Sequence, residues 1–206
     1  MSVPLAVISA DKEIVELARE LGFEVVGFFD PSGQAKVSGA ANLGGDENWA
    51  ALKAKLATLR VVLALDPPAI KRRALERYGA DALMTLKSAQ GHVSPSAQIG
   101  AGTIVQRGAA VMADARVGIA CKINVGATVH HDCVIGDCCT IAPRASLLGF
   151  VKLGDDVFVG ASATVMPKVR IGTGAVVGAG ALVREDVPAG ATVAGVPARS
   201  TRGEER

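Results

Sequence analysis

Between residues 93 and 183 a branched aliphatic residue returns at every sixth position without interruption. The series opens Val93, Ile99, Val105, Val111 and closes Ile171, Val177, Val183. Each leader is followed four places on by a small or modest residue such as Ala97, Thr103, Cys121, Ala145 or Val187. An α-helix requires recurrence near 3.6, so it is excluded. A period of six predicts a parallel β-helix, in which short strands joined by tight turns wind so that leaders and small residues fill the interior. Three units make one three-sided coil, and each residue then stacks on its counterpart three units earlier at the ~4.8 Å spacing of paired strands. The small residue suits a narrow prism that has no space for a second large side chain. Glycine follows the leader in seven units (Gly100, Gly118, Gly136, Gly154, Gly160, Gly172, Gly178), where it is expected to supply tight backbone turns.

Before this stretch the pattern is different. Residues 5–9 form a short apolar run, and residues 11–21 carry Ile14, Val15, Leu17, Ala18 and Leu21 at helical spacing behind an acidic start. Residues 24–29 read as a strand ending at Asp30 and a Pro-Ser-Gly turn. A helix is expected over 46–56, a strand over 60–65, a helix over 68–78 with proline in its first turn, and a strand over 82–86. Such alternation predicts a small Rossmann-like α/β domain with a parallel sheet covered by helices. Ligands of such sheets lie beyond the carboxyl ends of the strands, here residues 9–11, 30–32 and 66–68.

Composition divides the chain at the same place. Five of its seven aromatic residues precede residue 90 and 17 of its 24 glycines follow it. The expected organisation is an α/β domain over 1–90, a β-helix over 91–190, and a final strand and tail over 191–206. The first 90 residues hold 11 basic and 11 acidic side chains and the rest 11 and 9, so neither part has a nucleic-acid footprint. No apolar run approaches the ~18 residues of a membrane span, and the opening MSVPLAVISADKE lacks the features of a secretion signal, so a cytoplasmic protein is expected. Cys121, Cys133 and Cys139 fall on the small inward position and are expected to pack in the core. Cys138 faces elsewhere, and the Cys138–Cys139 pair has no metal-ligand spacing, so no metal is expected.

The hexads, together with IGTGAVVGAGALVREDVPAGATVAGVPAR over 171–199, resemble the hexapeptide-repeat acyltransferases. That resemblance implies a left-handed β-helix. The stretch INVGATVHHDCVIGDCCTIAPRASLLGFVKLG over 123–154 resembles the catalytic coil of the sugar acetyltransferases in that family, those related to sialic acid O-acetyltransferases and to bacillosamine or perosamine N-acetyltransferases. GFEVVGFFDP over 22–31 resembles a strand of their nucleotide-sugar-binding domain.

The resemblance implies His131 as general base, oriented by Asp132. It implies acetyl-CoA as cosubstrate in a groove between subunits of a homotrimer, along Gly149, Ala161 and Ala179, with Arg199 near its phosphates and the Gly149 amide supporting the thioester. It places Asp30 toward the nucleotide base and Asn124 near the acceptor sugar. Thr140 stands where the family often has a second histidine, and its hydroxyl is left as a hydrogen-bond donor there. The repeat supports the first assignment independently. Val129 points inward, His131 lies two places on near a turn, and Gly149 is one coil further along the same edge, so a base faces backbone with no side chain to block a thioester.

Residues 8–13, ISADKE, depart from the family's glycine-rich loop. Asp11 and Glu13 put negative charge at a helix start that would otherwise attract phosphate, and a capping role is expected for them. The run Lys71, Arg72, Arg73 is expected to be a solvated helix face, phosphate compensation being the other reading. The implied function is acetyl-CoA-dependent N-acetylation of a nucleotide-linked 4-amino sugar by direct transfer. An O-acetyltransferase using a sugar hydroxyl and a non-catalytic β-helix binding module are the alternatives. A metalloenzyme of the carbonic anhydrase kind needs histidines on facing edges, whereas His130 and His131 are adjacent and His92 precedes the first full coil.

Overall fold

Strand β1 (Pro4–Ile8) lies between β2 (Glu24–Phe29) and β3 (Arg60–Leu63) in a parallel three-stranded sheet. Its residues from Leu5 to Ile8 are all buried because both faces are covered, which is why its sequence is a continuous apolar run. Leu5 and Val7 pack toward helix α1 (Lys12–Glu20), while Ala6 and Ile8 pack toward helix α3 (Pro68–Tyr78). The computed structural model describes residues 2–201, so 202–206 of the expected C-terminal tail lie outside the described residues.

Helix α1 starts where the sequence places it: Asp11 is its N-cap, and the Asp11 carboxylate accepts a hydrogen bond from the Ile14 amide at 3.1 Å. The helix expected over 46–56 begins as a 3₁₀ turn at Asp46–Asn48 and continues as α2 (Trp49–Lys55). The strand expected over 82–86 does not form. Ala80–Ala82 is a 3₁₀ turn, Leu83 makes an isolated bridge to Val61, and Leu86–Lys87 pairs instead with Ile104–Val105 of the coils. Leu83 and Leu86 are therefore apolar for two separate reasons.

From Leu86 onward two-residue strands stack in three parallel ladders, forming a β-helix. Lys122–Ile123 pairs with Thr140–Ile141, Thr128–Val129 with Ser146–Leu147, and Val134–Ile135 with Lys152–Leu153, each 18 residues apart. We call these ladders faces C, D and E. The leaders and the small residues four places on form one continuous core, including Cys121, Cys133 and Cys139.

The turns correct one expectation. Glycines directly after a leader do not adopt the left-handed backbone; that falls two places later, where every sixth residue from Gly102 to Gly180 has φ between +55° and +70°. Nine of those positions hold a residue other than glycine, among them Asp132, Phe150 and Lys168. Such a residue's amide joins successive coils, as in Phe150 to the His131 carbonyl at 3.1 Å and Asp156 to the Asp137 carbonyl at 2.9 Å. The glycines after the leaders are needed for closeness. A Cβ on Gly136 would stand 2.6 Å from the Gly154 carbonyl carbon of the next coil.

The outward column of face C positions the two domains. Leu86, Ile104, Lys122 and Thr140 are buried beneath the α/β domain, Phe158 is half-buried, and Val176, beyond its reach, is exposed. Leu86 and Ile104 join the core around α1, while Ala120 and Cys138 join that around α3. Cys138 thus points into the domain interface.

Candidate active site

The turn from face D to face E holds the candidate site. Val129 is fully buried, the chain turns outward, and His131 is 53% exposed in its side chain. Asp132 has φ +59°, and this turn brings its carboxylate back to His131, with 2.8 Å between Oδ2 and Nδ1. A carboxylate only accepts, so Nδ1 holds the ring proton and Nε2 is left with its lone pair outward. One coil on, Gly149 lies against the imidazole: a Cβ there would stand 2.7 Å from Cε1 and 2.8 Å from Nε2 of His131. The Gly149 carbonyl accepts from the Lys168 amide at 3.0 Å. At another corner the amides of Ile119 and Asp137 are occupied by the Asp137 and Asp155 carboxylates; the Gly149 amide, like that of His131, makes no hydrogen bond among the described residues. A histidine, the carboxylate bonded to it and a backbone amide without a partner therefore share one edge, a set that acyl transfer can use.

The other residues singled out in the sequence lie elsewhere in the chain. Asn124, Ala161 and Ala179 occupy the turn from face C to face D, a different corner of the prism. Asn124 is buried and its amide donates to the Ile141 carbonyl at 3.2 Å, so it joins successive coils. Ala161 is half-buried and Ala179 exposed, one above the other, linked by the Gly180 amide to the Ala161 carbonyl at 2.8 Å. Arg199 is exposed on the final strand, Arg199–Ser200, with Nη1 donating to the Ala198 carbonyl. Thr140 is fully buried: its hydroxyl donates to the Asp66 carbonyl at 2.6 Å and accepts from Lys71 Nζ at 2.7 Å. That arrangement leaves Thr140 no proton for an acetyl group.

The charge run on α3 is not a solvated face. Lys71 is fully buried and also donates to the Cys139 carbonyl at 2.6 Å, because face C packs directly on α3. Burial pushes its pKa down to about 8, against the opposing influence of Cys121, Cys139, Cys138 and Asp66. Arg72 grips Asp156 through three contacts of 3.1 to 3.2 Å and reaches Asp155 at 3.4 Å. Lys122 joins Asp11 at 3.2 Å and Asp66 at 3.3 Å, so Asp11 both caps its helix and ties it to the coils.

Arg73 alone of the three opens into a cleft of about 610 Å³ at the carboxyl ends of β1, β2 and β3. Ser9, Asp30, Asp46 and Arg77 also line it. Asp46 is paired with Arg77 at 3.7 Å, and Arg73 makes no ion pair among the described residues. The Asp30 carboxylate accepts from the Ala35 amide at 2.9 Å and from the Ser32 hydroxyl and amide, which together lower its pKa. Ser9 has φ +94°, so the loop without glycine still takes a backbone shape that glycine favours.

Sequence reasoning missed Phe150, exposed beside His131, and the burial of Lys71. Phe150 left one signal: it is one of two aromatic residues after residue 90 and stands at a turn position. Lys71 left none, because nothing local records which coil face the first domain covers. No group of three or more potential metal ligands converges among the described residues, and no described helix is long and apolar enough to cross a membrane.

A β-helix that holds an acid-paired histidine against a bare glycine is a framework for acyl transfer. The family model described as "Bacterial transferase hexapeptide (six repeats)" matches residues 150–185. No curated protein sequence matches the chain. Among solved structures, the acetyltransferase domain of PglB from Neisseria gonorrhoeae is 33% identical, with 97% of this chain and 100% of that one covered and a TM-score of 0.90. PerB from Caulobacter crescentus, in complex with CoA and GDP-perosamine, is 32% identical over 96% of this chain and 97% of that one, with a TM-score of 0.89. WeeI from Acinetobacter baumannii is 26% identical over 95% and 98%, with a TM-score of 0.86. The chain belongs to the hexapeptide-repeat acyltransferases and is an acetyltransferase.

Proposed function

We propose that this acetyltransferase moves the acetyl group of acetyl-CoA to the amine of a nucleotide-linked 4-amino sugar, in the cytoplasm, with His131 as general base. The observation that carries the reading is the His131 corner, where Nδ1 is tied to Asp132 at 2.8 Å and Nε2 is open beside Gly149. The solved relatives support its two substrates: the PglB domain has also been determined with acetyl coenzyme A, and PerB with CoA and GDP-perosamine.

In this reading His131 Nε2 accepts the proton that the amine loses as its nitrogen bonds to the thioester carbon. Asp132 stabilises the imidazolium, and the Gly149 amide meets the oxygen on which negative charge develops. His131 then returns the proton to the sulfur as the C–S bond breaks. The nucleotide end occupies the cleft beyond β1–β3, with Asp30 fixing the loop beneath the base. Arg73 meets the phosphates there in place of glycine-loop amides.

His131 and Gly149 lie on one corner, and Asn124, Ala161 and Ala179 on another, with face D between them. A homotrimer in which each copy offers one corner to its neighbour's other corner unites them, and CoA then runs past Ala161 and Ala179 toward Arg199. Half-buried Ala110, Thr128, Ser146 and Thr164 make face D flat enough for such contact.

The test is thiol release from acetyl-CoA against UDP-, dTDP- and GDP-linked 4-amino sugars, with free amino sugars and sialic acid alongside. Rapid release is expected with one nucleotide-linked amine, and His131→Asn should lower kcat by roughly 10²- to 10⁴-fold without unfolding the protein. Near-normal turnover in that variant would remove His131 from the role. Release with hydroxyl sugars alone would replace N-transfer by O-transfer.

A further inference from the structure

The ring of Phe150 stands 5.2 Å from that of His131, centroid to centroid, at an interplanar angle of 89°. Its backbone has φ +64°, a conformation that is sterically unfavourable for a bulky L-residue. Of the equivalent turn positions five hold glycine, which adopts it freely, and eight others hold Ala, Ser, Cys, Asp, Arg or Lys, so Phe150 is the one aromatic residue among them. Phe150 is also 45% exposed, so core burial does not offset the strain. A strained, half-open aromatic at one turn among so many needs another account, and strain of this kind collects at functional sites.

His131 supplies the account. Its imidazole is held at Nδ1 by Asp132, but the two side chains are 53% and 42% exposed, and an exposed pair can swing together. Phe150 lies one coil directly above Asp132, and its amide is bonded to the His131 carbonyl at 3.1 Å. Its ring therefore meets the imidazole from the next coil. A perpendicular aromatic contact favours one mutual orientation of the two rings.

We propose that Phe150 is a positioning residue for the base, holding the imidazole in the orientation that keeps Nε2 beside Gly149. The inference rests on His131 acting as base in acetyl transfer. Relieved backbone strain opposes the lost contact and the added unfolded-state freedom, so removal should leave stability little changed while lowering turnover.

The experiment compares the unaltered protein with Phe150→Gly and Phe150→Tyr, by steady-state kinetics, thermal unfolding and ¹⁵N NMR of the histidine ring. Phe150→Gly should melt within about 2 °C of the unaltered protein, keep KM for both substrates within about twofold, and lose about tenfold in kcat. Its His131 ring signals should change from one Nδ1–H tautomer to an averaged pattern. Phe150→Tyr, which keeps the ring contact, should retain kcat. Unchanged ring signals in Phe150→Gly would overturn the proposal whatever the activity does. So would a lower melting temperature with raised KM and unaltered kcat, which marks a packing or binding residue. If the unaltered protein transfers no acetyl group yet its ring signals respond to Phe150→Gly, the functional reading fails and the positioning contact stands.

Discussion

Gly149 shows how little freedom a single position in this site has. Its φ is not in the left-handed region, so alanine meets no backbone obstacle there; the only cost is the added methyl, which would come within 2.8 Å of His131 Nε2. The ring must turn away to admit it. Gly149→Ala is therefore expected to fold normally and lose on the order of 10²-fold in kcat, the usual result of displacing a reacting group by about an ångström. Unaltered kcat in a correctly folded variant would place the reacting atoms elsewhere. His131, Asp132 and Gly149 were legible in the sequence because the repeat assigns each residue an index, and an index fixes a corner. Phe150 shared an index with Asp132, but nothing in the period says that a ring at that turn leans back over the previous coil.

A coil turn separates two demands on the backbone that the sequence merges. After each face E leader the position needs a residue without Cβ because coils approach closely there; the position two places later needs a positive φ, which Lys168 adopts at +67° in open surroundings. Gly136→Ala should therefore lower the melting temperature by several degrees, since overpacking costs ~1–3 kcal/mol. Lys168→Gly should leave it within about 2 °C, because relieved strain and added unfolded-state freedom oppose each other. A reversed pattern in calorimetry would mean that turn conformation, and not coil spacing, selects these glycines. The hexads were legible because sixteen units repeat one solution. Their beginning was not: Lys87 stands at a leader's index but is charged and exposed, so the aliphatic series starts one unit late.

The molecule as a whole is joined by buried polar contacts between α3 and face C, with Lys71 at their centre. Its pKa near 8 compares with about 10.4 for a lysine in an unfolded chain. Between those values the unfolded chain keeps a proton that the folded one has released, so stability rises with pH through that window and is lost as pH falls back through about 8. The full difference is roughly 3 kcal/mol. Lys71→Met should remove the rise, which urea unfolding of both proteins between pH 7.5 and about pH 10.5 measures. Parallel pH profiles would show that Lys71 titrates as it does in water. No sequence pattern announced this contact, since it depends on two surfaces more than 60 residues apart in the chain.

The far end of the β-helix carries a consequence of its own. Every strand pairing in the coils is parallel except the last, in which Arg199–Ser200 runs back along Val193–Ala194. Just before it, Ala198 bonds the Leu182 carbonyl at the end of face D, while face E ends earlier in a single parallel bridge from Val187 to Ile171. A parallel ladder left bare is a template on which another copy can dock and continue the winding. The reversed strand makes the terminal coil a poor template, so a protein built by repetition has a defined length and does not grow into a filament.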